Sequence, residues 1–511
     1  MRGDVVSAIA LYRDIIGADP HQADALHGMG LAAYQAGKPE NALLLIEGAL
    51  KERPDFARAW YNRSLILRGV GRAADALDSV RKAVESDANL AEAWNMLGQM
   101  EKDRGAYAEA GDCYQRAIAL QPANAHFHGN LASLLFAAGD LVNAHRAARN
   151  AEKADPDWPP LTLGNILKNA GYPEQAAAQF ARTRALQPHF AEAAGSEAIA
   201  RLQSGDMERG WSLWEQRPDL AAELAALPFW QGQKTGTLLV YEDQGLGDAL
   251  HFARYLPALR ARVERLVLRL KPALLRLFAE NFPDIGCVST DEPAPAAEAR
   301  CRLSSLPFFF ATRPDSIPPA PYLIANIARR ALWQGKLRGM QGPRIGIAWA
   351  GNGHFRNDAA RSIPFAQAAT LFDAGRGHLV SLQKGREPVD FFDAAPQLED
   401  FADTAALIAE LDLVISVDTA TAHLAGALGK PVFIALPFDA DWRWLLGRED
   451  SPWYPAARLF RQTYPGDWAP VLARLADALQ KFIGGDKSVL QATPHSGENL
   501  RQNTHAIHLP A

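Results

Sequence analysis

The apolar positions of this chain follow two different patterns, which meet near Thr237. Before that point, large and small apolar residues recur at helical spacing within a longer repeat. After it, short apolar runs alternate with amphipathic segments of helix length. Helical spacing predicts paired α-helices, and the alternation is typical of βα units around a parallel sheet. The sequence therefore predicts an α-helical solenoid followed by an α/β region.

The helical part repeats with a period of 34 residues, which shortens to 32 once. The period is marked by Gly37, Gly71, Gly105, Gly139, Gly171 and Gly205. A period of this length indicates a solenoid of stacked helix pairs. Within one unit, Trp94 and Tyr114 fill space between the helices, whereas Gly98 and Ala110 allow close helix contact. The pattern resembles the tetratricopeptide repeat over residues 21–190.

Stacked helix pairs curve, and their concave face commonly binds peptides or extended protein segments. Asn62 and Asn130 occupy the same position within their repeats, on the helix that usually lines such a groove. An amide at that position can bind a peptide backbone through a donor and an acceptor, and solvated surface asparagines are the alternative. The solenoid therefore predicts a protein or peptide partner without identifying it.

Apolar runs in the second part predict two consecutive open sheets with a cleft between them. An aromatic-rich connector with Phe229 and Trp230 precedes them, and we expect it to attach the solenoid to the first sheet. The runs are 237–241, 265–270 and 285–289, then 344–349, 378–383, 411–416, 431–436 and 458–462. The predicted domains are a solenoid at 1–217, a connector at 218–236, Rossmann-like domains at 237–341 (with a linker) and 342–483, and a disordered tail at 484–511.

Composition excludes several classes of partner. The 511 residues are 48% hydrophobic and 22% charged with a net charge of −5, which gives no overall attraction to nucleic acid or anionic lipid. Cys113, Cys287 and Cys301 are too few and too scattered for a disulfide framework or a zinc site. Acidic residues interrupt the first residues before a signal-peptide core can form, and no later apolar run is long enough to span a membrane. We expect a cytoplasmic protein.

The turn after the first α/β strand contains the sequence GLGD, at Gly245 to Asp248. Gly245 and Gly247 permit a tight strand-to-helix turn, which brings Asp248 to the carboxyl edge of the sheet, facing the cleft. There a carboxylate either caps the helix or acts as a general base toward an acceptor hydroxyl. The Gly pattern stops short of G-x-G-x-x-G because Leu250 occupies the third position, so a nicotinamide cofactor is not favoured.

Polar and cationic residues follow the strands of the second α/β domain. They are Asn352, Arg356, Arg361, Lys384, Asp418, Thr419, Ala420 and His423. A strand followed by a polar turn and a helix start can bind an anionic phosphate, and guanidinium groups suit a diphosphate. Solvated loop charges are the alternative for the residues near Arg356 and Arg361. No phosphate loop of the P-loop type is present.

GLGD in one Rossmann-like domain and DTATAHLAGALGKP in the next resemble the heptosyltransferase-related family of GT-B glycosyltransferases. The resemblance implies that Asp248 is the catalytic base and that Asp418, Thr419, Ala420 and His423 form the donor site. Ala420 departs from the usual glycine. The longer segment around Trp442 and Arg443 also departs, and it forms either a cleft wall or internal packing.

The predicted function is metal-independent transfer of a sugar from a nucleotide-sugar donor, with no other cofactor, to a protein Ser/Thr hydroxyl recruited by the repeats. GT-B enzymes as a class usually need no metal, because cations and a helix N-terminus neutralise the leaving diphosphate. The alternatives are a catalytically inactive repeat scaffold that binds a protein partner, and a lipopolysaccharide-type heptosyltransferase.

Overall fold

The computed structural model describes residues 2–218, 221–353, 358–385, 388–492 and 506–510. The chain divides into two compact units, Met1–Ile166 with His508–Ala511, and Leu167–Ile507. This division falls inside the repeats, and the domain limits given above remain predictions.

The first unit is built from antiparallel helix pairs. Its helices are α1 (Arg2–Ala18), α2 (Ala23–Gln35), α3 (Pro39–Glu52), α4 (Ala57–Gly69), α5 (Ala73–Ser86), α6 (Ala91–Asp103), α7 (Tyr107–Leu120), α8 (Ala125–Ala137), α9 (Leu141–Ala154) and α10 (Leu161–Asn169), the last continuing into the second unit. The predicted small residues act as expected within α6 and α7. A Cβ atom on Gly98 would lie 2.8 Å from the ring of Tyr114, so only glycine admits this packing.

The glycines that mark the period share one conformation. Gly37, Gly71, Gly105, Gly139, Gly171 and Gly205 all have φ between 73° and 89°. This left-handed conformation ends a helix at little steric cost only when the residue is glycine. The glycines that repeat along the sequence therefore mark the positions where helices end.

The second unit contains the remaining helices and all strands. Its helices are α11 (Pro173–Leu186), α12 (Ala191–Gln203), α13 (Met207–Trp214), α14 (Leu246–Phe252), α15 (Leu256–Arg260), α16 (Pro272–Asn281), α17 (Leu306–Phe309), α18 (Ile327–Lys336), α19 (Asp358–Arg361), α20 (Phe365–Ala374), α21 (Phe401–Ala409), α22 (Ala420–Ala427) and α23 (Ala469–Ile483). Its strands are β1 (Thr237–Tyr241), β2 (Arg265–Leu270), β3 (Gly286–Ser289), β4 (Ala299–Arg302), β5 (Ile345–Ala348), β6 (Leu379–Ser381), β7 (Phe392–Asp393), β8 (Leu413–Val417), β9 (Val432–Leu436) and β10 (Ala457–Arg461).

The strands form two parallel sheets, as the alternation predicted. The first has the order β3-β2-β1-β4 and the second the order β10-β9-β8-β5-β6-β7. In the first sheet, Val240 on β1 lies opposite Leu268 and Cys301. In the second sheet, Ile347 on β5 lies opposite Ser381 and Ile415. The order in which the strands are added reverses between β1 and β4 and between β5 and β8. Ligands of open α/β sheets bind at the carboxyl ends of strands at such points.

Aromatic residues connect α13 with both sheets inside the second unit. The Trp211 ring lies 5.1 Å from the ring of Trp442, and the Trp211 indole donates a hydrogen bond to the carbonyl of Thr312 at 3.1 Å. The rings of Trp214 and Trp442 are 6.2 Å apart. The helix that follows the last repeat turn thus shares a core with the α/β region.

The beginning of the predicted disordered tail is folded, which corrects that expectation. Residues 487–490 form a 3-10 helix, Val489 is buried, and Arg458 donates a hydrogen bond to its carbonyl at 3.0 Å. Val489 and Leu490 pack on the apolar cluster that includes α23, so two apolar side chains hold this polar segment in place. Residues 493–505 of the predicted tail lie outside the described residues. Among the helices that the structure describes, none combines the length and apolar character needed to cross a bilayer.

Candidate active site

The predicted donor residues follow neighbouring strands of the second sheet. Asn352 follows β5, and Asp418 and Thr419 follow β8, so they flank the point where the strand order reverses. Lys384 follows β6, one strand away, and is exposed. Arg356 lies outside the described residues. Because the carboxyl ends of parallel strands meet at one edge, the sequence order alone assembles this crevice.

The start of α22 has no side-chain cap. Thr419 has an extended backbone (φ −142°, ψ 172°), and its hydroxyl lies 3.0 Å from the hydroxyl of Ser416 instead of bonding the first helical turn. The helix begins at Ala420, the residue that departs from the family glycine. The first N–H groups of a helix carry partial positive charge and lack intrahelical acceptors. The crevice therefore presents backbone donors to an anion.

The Asp418 carboxyl group is buried beside this helix start, with 9% of the residue exposed. Burial raises its pKa from 3.8 to about 7, and the charge of Asp441 acts in the same direction, while Arg443 and Arg361 oppose the rise. Its Oδ1 lies 3.8 Å from Nε2 of His423. Near neutral pH this carboxyl group can therefore exchange a proton.

Arg361 belongs to a short polar network under the β5 turn. Its Nε donates a hydrogen bond to Oδ1 of the buried Asp358 at 3.1 Å, and Asp358 also accepts from the hydroxyl of Ser362 at 3.0 Å. A Cβ atom on Gly351 would lie 2.1 Å from Asp358 Oδ1 and 2.7 Å from the guanidinium of Arg361. Glycine at position 351 thus lets the β5 turn approach the guanidinium.

Asp248 has two partners. Its Oδ2 accepts a hydrogen bond from the Gly245 N–H at 2.9 Å, and its Oδ1 forms an ion pair with Arg443. Burial raises the pKa of the carboxyl group, and the Arg443 charge lowers it. About a quarter of the side chain, 26%, is exposed. The capping role is therefore present, and the base role remains a prediction.

The two family-like motifs touch. A Cβ atom on Gly247 would lie 2.8 Å from the His423 ring and 3.4 Å from the Cα of Ala420. The GLGD turn of the first sheet thus packs directly on the first turn of α22 from the second sheet. Glycine at position 247 is required by this approach, because any side chain would meet His423.

Arg443 and Trp442 lie inside the second unit. Arg443 is 5% exposed; Nη1 donates to Asp441 Oδ1 at 2.8 Å, and the guanidinium carbon lies 4.2 Å from the centre of the Trp442 ring. Trp442 is 2% exposed and packs against Trp211 and Trp214. The indole of Trp442 therefore packs internally, which is one of the two predicted alternatives. Its role as a cleft wall remains a prediction.

Sequence reasoning missed several polar residues around the motifs. The hydroxyl of Tyr454 lies 2.9 Å from Nδ1 of His251 and 2.9 Å from Nδ1 of His423. Arg461, at the end of β10, donates hydrogen bonds to the carbonyls of Arg448 and Trp444, and burial lowers its pKa to about 9. The available signal was the length of the segment 437–455, which departs from the family pattern.

The concave face of the first unit holds a separate groove of about 470 Å³, lined by α4, α6 and the start of α8. The predicted asparagines join neighbouring repeats. Asn62 Nδ2 donates to Nε2 of His27 at 2.8 Å, and Asn130 Nδ2 donates to Oδ1 of Asn95 at 2.8 Å. Asn95 itself lines the groove. These amide hydrogen bonds therefore link neighbouring repeats, and one of the amides, that of Asn95, reaches the groove.

The fold combines helical repeats with a two-sheet α/β region, in which one strand-to-helix turn leads into a helix start without a side-chain cap. Residues 27–91 and 98–139 match models of the tetratricopeptide repeat. Residues 379–436 match the model of glycosyltransferase family 9 (heptosyltransferase). The matches confirm the predicted combination of tetratricopeptide repeats with a glycosyltransferase-related α/β region.

One curated relative is Protein FlbA of Caulobacter vibrioides, which is 27% identical over 444 residues, 71% of this chain and 74% of FlbA. Similar solved structures include MamA, with 20% identity, a TM-score of 0.28 and coverage of 30% of this chain and 91% of that one. The TPR protein YrrB, described as having an unusual peptide-binding site, has 21% identity, a TM-score of 0.29 and coverage of 34% and 89%. At these TM-scores we draw nothing about function from the solved structures.

Proposed function

We propose that the α/β region transfers a sugar from a nucleotide-sugar donor to a protein Ser/Thr hydroxyl that the repeats recruit. The observation that carries this proposal is the contact between the two motifs. The GLGD turn with Asp248 packs on the helix start that follows Asp418 and Thr419. A donor bound at the start of α22 would therefore lie beside the turn that carries Asp248.

In the proposed reaction, the acceptor hydroxyl oxygen attacks the anomeric carbon of the sugar and the bond to the diphosphate breaks. The hydroxyl proton passes to Asp248, the nucleoside diphosphate leaves, and the configuration at the anomeric carbon inverts. The N–H groups at the start of α22 and the guanidinium of Arg361 take the charge of the leaving diphosphate. No metal ion is needed in this scheme.

Arg443 has a defined part in this scheme. Its ion pair with Asp248 opposes the effect of burial on the pKa of that carboxyl group. A base must be ionised before it accepts a proton, so Arg443 keeps Asp248 ready at neutral pH. The same pairing also favours a second candidate function, a scaffold that binds a nucleotide without turnover. A carboxylate that is held by both Gly245 and Arg443 suits such a scaffold.

The test uses the full chain with UDP-, GDP-, ADP- and CDP-linked sugars and a pool of Ser/Thr peptides, with nucleotide release and peptide mass as readouts. We expect peptide mass to increase by one sugar with one donor, and equally in the presence of EDTA. Asp248→Asn should lower turnover by about 100-fold or more while leaving donor affinity within about threefold. Donor binding without turnover would support the scaffold, and transfer to a lipopolysaccharide core but not to peptides would support a heptosyltransferase.

Asp400→Asn is a matched control for Asp248→Asn. Asp400 also caps a helix, through the N–H groups of Ala402 and Asp403, and also pairs with an arginine, Arg276. It caps α21, away from the two motifs. Equal loss of turnover in both variants would remove the base assignment, because it would trace the loss to helix capping and pairing.

The proposal includes a cytoplasmic location. All three cysteines are free thiols, which suits a reducing compartment. Fractionation of cells that express a tagged full chain tests it, and recovery in a membrane or extracellular fraction would contradict it.

A further inference from the structure

A hydrogen-bonded chain of three side chains joins the two family-like motifs. His251 lies on α14 next to the GLGD turn, His423 lies on α22, and the Tyr454 hydroxyl lies 2.9 Å from Nδ1 of each. His251 and Tyr454 are 0% exposed, and His423 is 6% exposed. The chain therefore runs through the interior, from the first sheet's helix to the second sheet's crevice.

All three groups are neutral at physiological pH. Burial lowers the pKa of His251 and of His423 well below the usual value, and Arg254 and Arg443 lower both further. Burial also raises the pKa of Tyr454 well above its usual value. Each imidazole thus carries one proton, on Nδ1 or on Nε2, and the tyrosine retains its own.

The hydroxyl group has one proton, so it donates to one Nδ1 and accepts from the other, or it donates to Tyr322 and accepts from both. Either His423 carries its proton on Nε2, or His251 does, or both carry their protons on Nδ1. Two observations separate these arrangements. His251 Nε2 is buried without a hydrogen-bond partner among the described residues, and a buried N–H without an acceptor is rarer than a bare acceptor.

The second observation comes from the other end of the chain. Nε2 of His423 lies 3.8 Å from Oδ1 of Asp418. The ionised form of Asp418 attracts a proton on this nitrogen, whereas it would repel a lone pair there. Both observations therefore favour the same arrangement, in which His251 Nδ1–H donates to Tyr454, and Tyr454 O–H donates to His423 Nδ1.

We propose that Tyr454 and His251 are positioning residues that hold His423 in its Nε2–H tautomer, with this N–H directed to the crevice beside Asp418. On the proposed function, on which this part rests, that N–H donates to a phosphate oxygen of the nucleotide-sugar donor. The donor site thus takes its hydrogen-bonding character from a residue of the first sheet's helix.

The packing around the chain fixes its geometry. A Cβ atom on Gly426 would lie 2.4 Å from the Tyr454 ring, so glycine makes room for the tyrosine. The His423 ring stacks on Trp444, with centres 5.4 Å apart and planes at 16°. The Arg254 guanidinium lies 5.0 Å from the Tyr454 ring centre. The imidazole cannot turn to find another partner without disturbing these contacts.

The first experiment records nitrogen chemical shifts of the full chain labelled with 15N-histidine, which distinguish the two tautomers. His423→Gln and His251→Gln identify the two signals. We expect the Nε2–H tautomer for His423 and the Nδ1–H tautomer for His251 in the unmodified protein. The opposite assignment for either histidine would overturn the proposal, and this measurement needs no variant of Tyr454.

The second experiment compares Tyr454→Phe with Tyr255→Phe. Both tyrosines are fully buried, and the Tyr255 hydroxyl has one partner, Thr312 Oγ1 at 2.9 Å, away from the crevice. We expect the His423 signal to change only in Tyr454→Phe. The affinity for the tightest-binding nucleotide among UDP, GDP, ADP and CDP, measured by calorimetry, should fall about fivefold to tenfold in the same variant.

The two readouts separate this inference from the proposed function. If the unmodified protein binds none of the four nucleotides but shows the expected tautomers, the proposed function fails and the tautomer assignment stands. If it binds a nucleotide and both tyrosine variants behave alike, the inference fails and the proposed function stands.

Discussion

The α/β region has two crevices of the same topological kind, at the carboxyl ends of β1 and β4 and of β5 and β8. In the first, Asp243 accepts hydrogen bonds from the Ser304 N–H at 3.2 Å, from the Ser304 hydroxyl at 2.6 Å and from Arg217 at 2.9 Å. In the second, Asp418 has His423 Nε2 at 3.8 Å and faces a helix start without a side-chain cap. A strand-end carboxylate thus makes three hydrogen bonds within the fold in one crevice and lies beside an uncapped helix start in the other.

The position of Arg217 in the chain explains why the surroundings of Asp243 differ from those of Asp418. It follows α13, its guanidinium stacks on Trp214 at 3.9 Å, and it reaches the strand edge of the first sheet. The chain's own segment therefore occupies a place where open sheets usually bind ligands.

The largest effect should come from exchanging carboxylate for amide in the two crevices. Asp418→Asn is expected to lower sugar transfer by about 100-fold, since it alters the group beside the donor diphosphate. Asp243→Asn should instead lower the free energy of unfolding by about 2 kcal/mol, because Ser304 and Arg217 lose a charged acceptor, with transfer per folded molecule nearly unchanged. Urea denaturation and donor turnover measure the two effects. Equal loss of transfer in both variants would contradict the comparison.

Arg443→Gln should have the next largest effect. Without the guanidinium, the pKa of Asp248 rises, so the acid limb of the pH profile of kcat/KM should move to higher pH. We expect about tenfold slower transfer at pH 6 and a smaller loss at pH 8, whereas Arg443→Lys keeps the charge and should stay closer to the unmodified profile. A uniform loss across this pH range would show that Arg443 acts only through packing.

The pH dependence of stability gives a smaller test. The pKa of Asp418 is about 7 in the folded protein against an ordinary 3.8, so between those values the folded state retains a proton that the unfolded chain releases. The contribution of this carboxyl group to the free energy of unfolding therefore falls as pH rises from 4 to 7, and it does not change further above pH 7. Asp418→Asn should be as stable as the unmodified protein at pH 4 and more stable at pH 8 in urea denaturation. Asp477→Asn, at an exposed pair with Lys481, should show no such gain.

The smallest effect is expected at Lys384. This side chain is exposed, and solvent screens its charge, so Lys384→Gln should change donor affinity by less than about threefold. Arg361→Gln should lower the affinity about tenfold, because the guanidinium lies partly buried under the β5 turn. Calorimetry with the donor nucleotide compares the two. A larger effect on donor affinity at Lys384 than at Arg361 would indicate that the diphosphate binds closer to β6.

Much of the fold could be predicted because strands buried on both faces leave apolar runs. Each of the eight predicted runs overlaps a strand, and β8 ends directly before Asp418. Strand β4 gave no such signal. Its Arg300 and Arg302 place their guanidinium groups 4.3 and 5.2 Å from the ring of Phe229, so cation–aromatic stacking replaces the apolar alternation. The two-residue strand β7 is too short for any pattern.

The site could be predicted only where it follows strand ends. Asp418 and Thr419 come directly after β8, and Asp248 lies in the first turn of the helix that follows β1, so topology alone brings them to sheet edges. Tyr454 follows no strand and lies 203 residues from His251 along the chain. A single tyrosine in an aperiodic segment carries no sign of a partner so distant, and only the packed structure brings the two together.

The position of α13 limits how the crevice between the motifs can open. Trp211 donates its indole N–H to Thr312, next to the first sheet, and its ring touches Trp442 of the second. A rotation that separates the two sheets must break one of these contacts or carry the helix with it. Any separation of the two motifs is therefore tied to movement of α13, which belongs to the helical part of the chain.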